Sequence, residues 1–486
     1  MRNRSDGPGE DAPGGHVASA RLSRVFPLEP DSDEMRRLVD EAMRHIVAHI
    51  ESLPSQPAMN VDGATEYART LIEPLPRVAR PYGQLLDHLF RDLVPRSFTS
   101  AGPGYLAYIP GGGIFHAAVA DLIANSINRY VGVCAAAPAL VQLEANVVRW
   151  FAEILGMPCG SGGVLTSGGS LANFTAIVTA RRAKLPDDFL RGTLYCSDQI
   201  HRSFQKAANL AGFPYANVRE IPTDAKFRIR IDALREAIAR DRADGWTPFL
   251  VAGSAGTTNT GAVDDLTALA QVAKEESLWF HVDGAYGAFF TLTERGRAVL
   301  RGIESADSVI LDPHKTLFLP FGTGALVVRD PRLLRAAHSS HADYLPDMQE
   351  SDELVDFCEL SPELSRDFRG LRVWLPIKLF GIEPFRQQLD EKLDLIAFAR
   401  DELARIDGIE IVAEPELTIL AFRLAGPDAL NRELLERINA KKRVMLTPAV
   451  VNGQFVIRIA IGSHRTHRDR VEMALDDIRA AVGDLR

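Results

Sequence analysis

Asp283 and Lys315 each follow a short apolar run, LWFHVD for the carboxylate and SVILDPHK for the amine. Such runs read as buried strands, and residues where buried parallel strands stop stand at the mouth of a sheet, where open α/β folds bind their ligands. An amine and a carboxylate on one crevice can do covalent chemistry together. A lysine condenses with an aldehyde to a Schiff base, and a carboxylate keeps a pyridine nitrogen protonated so that the ring draws electrons. Pyridoxal 5'-phosphate needs both. Taken singly, the residues have ordinary roles, a solvent-facing lysine and a helix-capping aspartate. Their setting favours the chemical role. Pro313 and His314 stiffen the approach to Lys315, the apolar LFLPF after it offers a cover, and FGTGALVV reads as a turn into another buried strand.

A phosphate-bearing cofactor also needs an anion seat. VLTSGGSLANFTAIVTARRAK (164–184) reads as strand, tight glycine turn and helix, placing Gly168, Gly169 and Ser170 at a helix N-terminus. Free N–H groups and the positive end of a helix favour an anion there, although many helices begin this way. TLYCSD (193–198) is the next strand and delivers His201, placed either to stack on a planar, electron-poor ring or to serve the structure. FLVAGS (249–254) ends in AGTTNTG and brings Thr257 and Thr258 to the same rim. The glycine-rich stretch 101–118, with Tyr105 and Tyr108, reads as a loop, either lining a pocket or ordinary. The polar segment 335–350, with Tyr344, reads as a surface loop able to close over a site.

These side chains depend on strands expected at 164–167, 193–198, 249–254, 278–283, 307–311 and 324–329, separated by helical or crossover lengths. The fold class is α/β, a mostly parallel central sheet covered by helices. No GxGxxG follows a first strand and no GxxxxGK[ST] or HExxH occurs, so neither a dinucleotide, a P-loop nor a zinc-protease site is indicated, and no metal is expected. Residues 1–20, rich in Gly, Asp and Pro, are expected to form a disordered tail. Met35, Leu38, Val39, Ala42, Ile46 and Ile50 recur at helical spacing, and a second helical piece follows at 82–97. Residues 21–97 therefore read as an N-terminal helical extension, its stripe facing the chain's own body or a second subunit, with dimerisation the sharper reading. Residues 98–371 read as the large cofactor-binding domain. From 372 to 486 the pattern becomes helix, two strands, helix, two strands and a terminal helix, a small C-terminal α+β domain.

A chain of 486 residues exceeds one compact core. Its net charge of -9 exerts no pull toward nucleic acid or anionic membrane. Cys134, Cys159, Cys196 and Cys358 are widely spaced and form no metal or redox pattern, which fits a reducing compartment. The start lacks an apolar signal core, and the longest apolar run, VGVCAAAPALV, is short of a membrane span. A cytoplasmic location is expected.

SGGSLAN, SDQIHRS, AGTTNTG, HVDGAYG and DPHK, in this order and spacing, resemble the group II pyridoxal phosphate-dependent decarboxylases, among them the aromatic L-amino acid, tyrosine and histidine decarboxylases. The resemblance covers nearly the whole chain. It implies a fold type I pyridoxal phosphate enzyme, an obligate homodimer with its sites at the subunit interface, and a small-molecule amino acid substrate. Lys315 then resembles the Schiff-base lysine, Asp283 the partner of the pyridine nitrogen, and His201 the ring-stacking histidine that also lies near the substrate carboxylate. Gly169 and Ser170 resemble the phosphate turn, Thr258 a threonine near the cofactor, and His314 the histidine before the lysine. Asp312 stands where animal aromatic decarboxylases have an asparagine near the phosphate, and a carboxylate there would be repelled by a phosphate dianion.

Tyr344, in ADYL, resembles the loop tyrosine that protonates the carbanion left by departing carbon dioxide. In the family, tyrosine accompanies simple decarboxylation and phenylalanine accompanies decarboxylation–deamination to an aldehyde, so an amine product is favoured with the aldehyde as runner-up. Tyr108 and Ile109 match one wall of the family's substrate pocket. Gly132 and Cys134, in YVGVCA, stand roughly where a phenylalanine and a tryptophan would be. Ser365 falls where a glycine–serine difference separates indolic from smaller rings, leaning toward tyrosine-like or imidazole substrates. An aromatic L-amino acid is the best single class, with a non-aromatic amino acid as an alternative. Transaminases and sulfur-handling lyases of the same fold share the lysine and aspartate and would lack the Tyr344 loop and SDQIH.

Overall fold

The structure is a computed structural model, and it describes residues 28–339 and 355–486. The expected N-terminal tail and Tyr344, with most of the 335–350 segment, lie outside the described residues.

The apolar runs assemble into one seven-stranded sheet: β1 (Gly162–Thr166), β2 (Gly192–Ser197), β3 (Val218–Ile221), β4 (Thr247–Ser254), β5 (Trp279–Asp283), β6 (Ser308–Leu311) and β7 (Gly324–Val328), in the order β1-β7-β6-β5-β4-β2-β3. β3, β2, β4, β5 and β6 are mutually parallel, whereas β7 runs antiparallel to both β6 and β1. The connection that carries Lys315 has only a single helical turn, Pro313–Thr316, so the chain returns beside β6 without a crossover helix. Every residue of β2, β5, β6 and β7 is buried, as strands covered on both faces must be.

This arrangement sends the C-terminal ends of β1, β2, β4, β5 and β6 to one edge, where β7 begins. Gly324 opens β7 against the glycine turn after β1. A Cβ on Gly324 would stand 2.5 Å from Gly168 Cα and 2.7 Å from Asp312 Oδ1, so only glycine permits that approach.

The N-terminal stripe forms the helix Ser32–Ser52, capped by Asp31, whose carboxylate accepts the N–H groups of Asp33 and Glu34. None of its residues is fully buried. The second piece is helical over Tyr82–Asp87 and continues as a widened turn over His88–Leu93, with Val94 N–H bonding Leu89 O. The stretch 101–118 is irregular only to Ile114; a helix, Phe115–Ile127, begins inside it. The helix Gly370–Phe380, with Pro376 inside it, was not expected either. It spans the boundary expected at 371/372 and packs on Phe115–Ile127: His116 meets Phe380 edge-on at 4.7 Å, and Arg372 Nε donates to Asp121 Oδ1 at 2.6 Å. Residues 335–338, read as loop, are the last turn of the helix Pro331–His338.

A second sheet, all antiparallel, holds β8 (Ile409–Ala413), β9 (Ile419–Leu424), β10 (Thr447–Val451) and β11 (Gln454–Ala460) in the order β10-β11-β9-β8. The helices Glu383–Leu403, Asp428–Ala440 and Arg468–Asp484 back it. Residues 443–446 were expected to begin a strand with 447–449. They instead pair with the glycine loop: Met445 N–H donates to Gly104 O at 2.9 Å and Leu106 N–H to Met445 O at 3.1 Å. Ala460 N–H closes on Leu106 O at 3.0 Å, so the second sheet holds this loop in place.

Candidate active site

The shared strand edge opens on a cavity of about 310 Å³. Gly169, Ser170, His201, Thr258, Asp283, Asp312, His314 and Lys315 all border it, brought together from five separate stretches of sequence. Asp283 ends β5 and is buried, its Oδ1 accepting Ala285 N–H and its Oδ2 accepting Asn173 Nδ2–H, each at 3.3 Å. Lys315 rides the single helical turn after β6, with Nζ 2.9 Å from Asp312 Oδ2. The other Asp312 oxygen is buried and has no hydrogen-bond partner. Asp312 is therefore placed as counter-ion to the lysine rather than as a donor to a phosphate, which a carboxylate cannot be when ionised.

The helix Gly169–Lys184 starts without a capping side chain, so its first N–H groups lie free at the cavity. His314 Nδ1 donates to Thr323 O at 2.5 Å, which fixes its ring, and burial lowers its pKa from the ordinary value. His201 Nδ1 lies 2.7 Å from Ser203 Oγ and 3.3 Å from Ser203 N. An amine, a separate carboxylate, an imidazole and an uncapped helix N-terminus around one cavity form a donor set that fits pyridoxal 5'-phosphate. The Asp312 oxygen without a partner among the described residues is the one group of the set that a phosphate would repel.

The residues expected at a substrate wall do not border this cavity. Tyr108 is 53% exposed and stacks at 6.4 Å on Tyr105, while Ile109 packs on the main core. Their loop nevertheless runs hard against the lysine's turn, since a Cβ on Gly111 would fall 1.9 Å from His314 O. Gly132, Cys134 and Ser365 share a different place. Cys358 N–H donates to Gly132 O at 3.0 Å, Cys134 N–H to Asp356 Oδ1 at 2.6 Å and Tyr130 OH to Leu364 O at 2.7 Å, which lays 130–134 along 356–365.

Several participants were missed in the sequence. Tyr286 borders the cavity, and its hydroxyl is held by the Thr418 hydroxyl and N–H, both at 2.7 Å; burial pushes its phenol far up. Arg458 on β11 is buried, donates to Thr447 Oγ1 at 3.3 Å and Tyr108 O at 3.2 Å, and has no carboxylate against it among the described residues. Burial lowers its pKa to about 10. Asn173, Ser203 and His281 surround Asp283 and His201 from behind. His281 stands two residues before Asp283 on a strand and so on the same face, a signal that was readable. Among the described residues, no helix is long and apolar enough to cross a membrane.

The profile described as "Pyridoxal-dependent decarboxylase conserved domain" matches residues 66–425. The aromatic-L-amino-acid decarboxylase of Bacillus atrophaeus is 34% identical over 467 residues, covering 94% of this chain and 97% of that protein. The crystal structure of Oryza sativa TDC with PLP and tryptamine superposes with a TM-score of 0.89 at 29% identity, over 94% of this chain and 99% of that one. The crystal structure of Rhodiola rosea 4-hydroxyphenylacetaldehyde synthase superposes with a TM-score of 0.88 at 26% identity, with the same coverage of 94% and 99%.

Proposed function

The chain belongs to the pyridoxal-dependent decarboxylases and is a pyridoxal phosphate-dependent carboxy-lyase; on that premise we propose that it converts an aromatic L-amino acid to the corresponding amine and carbon dioxide. The observation that carries the site assignment is the meeting of Lys315, Asp283 and the free helix start at Gly169 around one cavity. When bound, pyridoxal 5'-phosphate supplies an aldehyde and a protonated ring that takes up the electron pair left by the departing carboxylate.

The chain's own groups do the rest. Lys315, held by Asp312, would supply the amine that holds the aldehyde. Asp283 would hold the ring nitrogen's proton, the N–H groups of Gly169 and Ser170 would receive the phosphate, and Thr258 and His314 would close the rim. His201 would stack on the ring and bind near the substrate carboxylate. Tyr344 would deliver a proton to the α-carbon after carbon dioxide leaves.

An aromatic substrate is supported by the relatives, which are aromatic amino acid decarboxylases by name. A second reading, decarboxylation–deamination to an aldehyde, draws on the aldehyde synthase among the structural neighbours, and Tyr344 argues against it. A homodimer is supported by the N-terminal extension, where Ile72, Leu75 and Val78 are 76–86% exposed and the helix Ser32–Ser52 buries no residue. Four unpaired cysteines suit a reducing, cytoplasmic setting.

The deciding experiment offers the cofactor-loaded protein L-DOPA, tyrosine, tryptophan, phenylalanine, histidine, glutamate and 2,4-diaminobutyrate separately, quantifying amine, aldehyde and carbon dioxide. Amine with equimolar carbon dioxide from an aromatic member is expected. Carbon dioxide only from a non-aromatic member overturns the substrate class, and none from any overturns the reaction. Lys315→Ala should abolish both turnover and borohydride-trapped cofactor; retention of either removes Lys315 from its role.

A further inference from the structure

A chain of hydrogen bonds runs behind Asp283, and none of the chemistry above uses it. Trp279 Nε1 donates to Ser308 Oγ at 2.8 Å, and Ser308 Oγ lies 2.8 Å from His281 Nδ1. His281 Nε2 lies 2.9 Å from Asn173 Oδ1. Asn173 Nδ2 reaches Asp283 Oδ2 at 3.3 Å and Ser203 Oγ at 3.1 Å, and Ser203 leads on to His201 Nδ1. Trp279, Ser308, His281, Asn173 and Ser203 are all buried, so their polar atoms satisfy one another.

Counting donors and acceptors leaves one arrangement. Backbone and indole N–H groups can only donate. Ser203 N–H therefore makes His201 Nδ1 an acceptor, and that ring carries its proton on Nε2. A carboxylate can only accept, so Asn173 turns Nδ2 toward Asp283 and Oδ1 toward His281. His281 then donates from Nε2 and accepts the Ser308 hydroxyl at Nδ1, while Ser308 oxygen accepts the indole. Burial lowers the His281 pKa to about 4, which keeps the ring neutral with a single proton to place.

We propose that Asn173 is a positioning residue for two side chains that border the cavity, orienting the Asp283 carboxylate directly and, through the Ser203 hydroxyl, supporting His201 as the Nε2–H tautomer that the Ser203 N–H sets. His281, Ser308 and Trp279 keep the amide from flipping. The free ring nitrogen of His201 thus presents a proton, a donor suited to an anionic group of the substrate. The catalytic consequence rests on the decarboxylase reading, whereas the tautomers do not.

Nitrogen NMR of histidine-labelled protein, with and without cofactor, reads the tautomers directly; His201→Gln and His281→Gln assign the signals. Nε2–H at both His201 and His281 is expected in the cofactor-free wild type at neutral pH. Nδ1–H at His201 overturns the proposal without any variant. Asn173→Ala in the loaded enzyme should lower kcat about tenfold with KM within about twofold, as loss of a hydrogen bond to a charged group predicts. It should also shift the bound cofactor's absorbance toward the unprotonated ring. Ser203→Ala, which spares the Asn173–Asp283 contact and the backbone N–H at 203, removes the hydroxyl donor to His201 Nδ1; it should move that nitrogen's shift downfield and leave the cofactor absorbance unmoved. If Asn173→Ala does not fold, the wild-type tautomers and Ser203→Ala still decide, and an unmoved His201 Nδ1 shift in Ser203→Ala overturns the link through Ser203. Failure of the wild type to bind pyridoxal 5'-phosphate, read separately by absorbance, counts against the decarboxylase reading instead.

Discussion

Acid should destabilise this protein partly through His281. The ring is buried on β5, and burial takes its pKa from 6.5 to about 4, with the Asp283 charge pulling weakly the other way. A histidine that stays neutral when folded takes up a proton more readily once unfolded. Below about pH 6.5 the unfolded chain therefore binds more protons, and stability falls as pH drops toward about 4. From these two values the loss is about 2 kcal/mol at about pH 5 and close to nothing at about pH 7.5. His464 adds a loss of the same sign, its pKa lowered to about 3 chiefly by burial. Asp264 works in the opposite direction. Its buried carboxyl is pushed up to about 6, so the folded state holds that proton more tightly and gains stability as pH falls from about 6 to 4. The wild-type profile mixes all three, and His281→Gln isolates one of them. Urea unfolding of the loaded enzyme should show the wild type losing about 2 kcal/mol more than His281→Gln between about pH 7.5 and pH 5. Equal losses in the two proteins would refute a neutral, buried His281.

Other perturbations test the frame around the site. Gly111→Ala places a Cβ 1.9 Å from the His314 carbonyl, and neither backbone can yield, so a cost of about 1–3 kcal/mol and weaker cofactor retention are expected from unfolding and absorbance measurements. Glu144 is fully buried, with Arg366 on one oxygen at 2.5 Å and Gly370 N–H on the other at 2.9 Å. Glu144→Gln leaves the Arg366 charge unpaired and should cost about 3–5 kcal/mol in urea midpoint analysis. Tyr344→Phe should move product from amine toward aldehyde in the product assay, and undiminished amine output would remove its assigned role.

What could be read in advance follows from how local each feature is. Asp283, His201 and Lys315 were legible because each is tied to the end of a short apolar run, and such runs end where burial ends. The reversal of β7 was not legible, since strand direction depends on how the Lys315 connection returns in space. Pro376 and Gly370 disguised one helix, while the glycines of 111–113 disguised the start of another. The Asp312–Lys315 contact had a signal that went unused: DPHK sets the carboxylate one helical turn before the amine, the spacing at which side chains meet. The Asn173 hub had almost none, because it needs the helix Gly169–Lys184 laid against β5 and read across more than a hundred residues.

Gly132 tests how far correspondence by position can be trusted. The resemblance puts a phenylalanine there, and a glycine leaves the space either open or filled by other groups. The structure puts another ring in that space: a Cβ on Gly132 would stand 2.5 Å from Tyr130 Cζ and 2.8 Å from its Cε2. The Tyr130 hydroxyl is anchored on Leu364 O at 2.7 Å, and its ring remains 38% exposed. A bulky residue at 132 and Tyr130 in this rotamer exclude each other, so the glycine is the condition for the tyrosine's position. The aromatic surface is thus supplied from two residues earlier, held against the segment that contains Ser365.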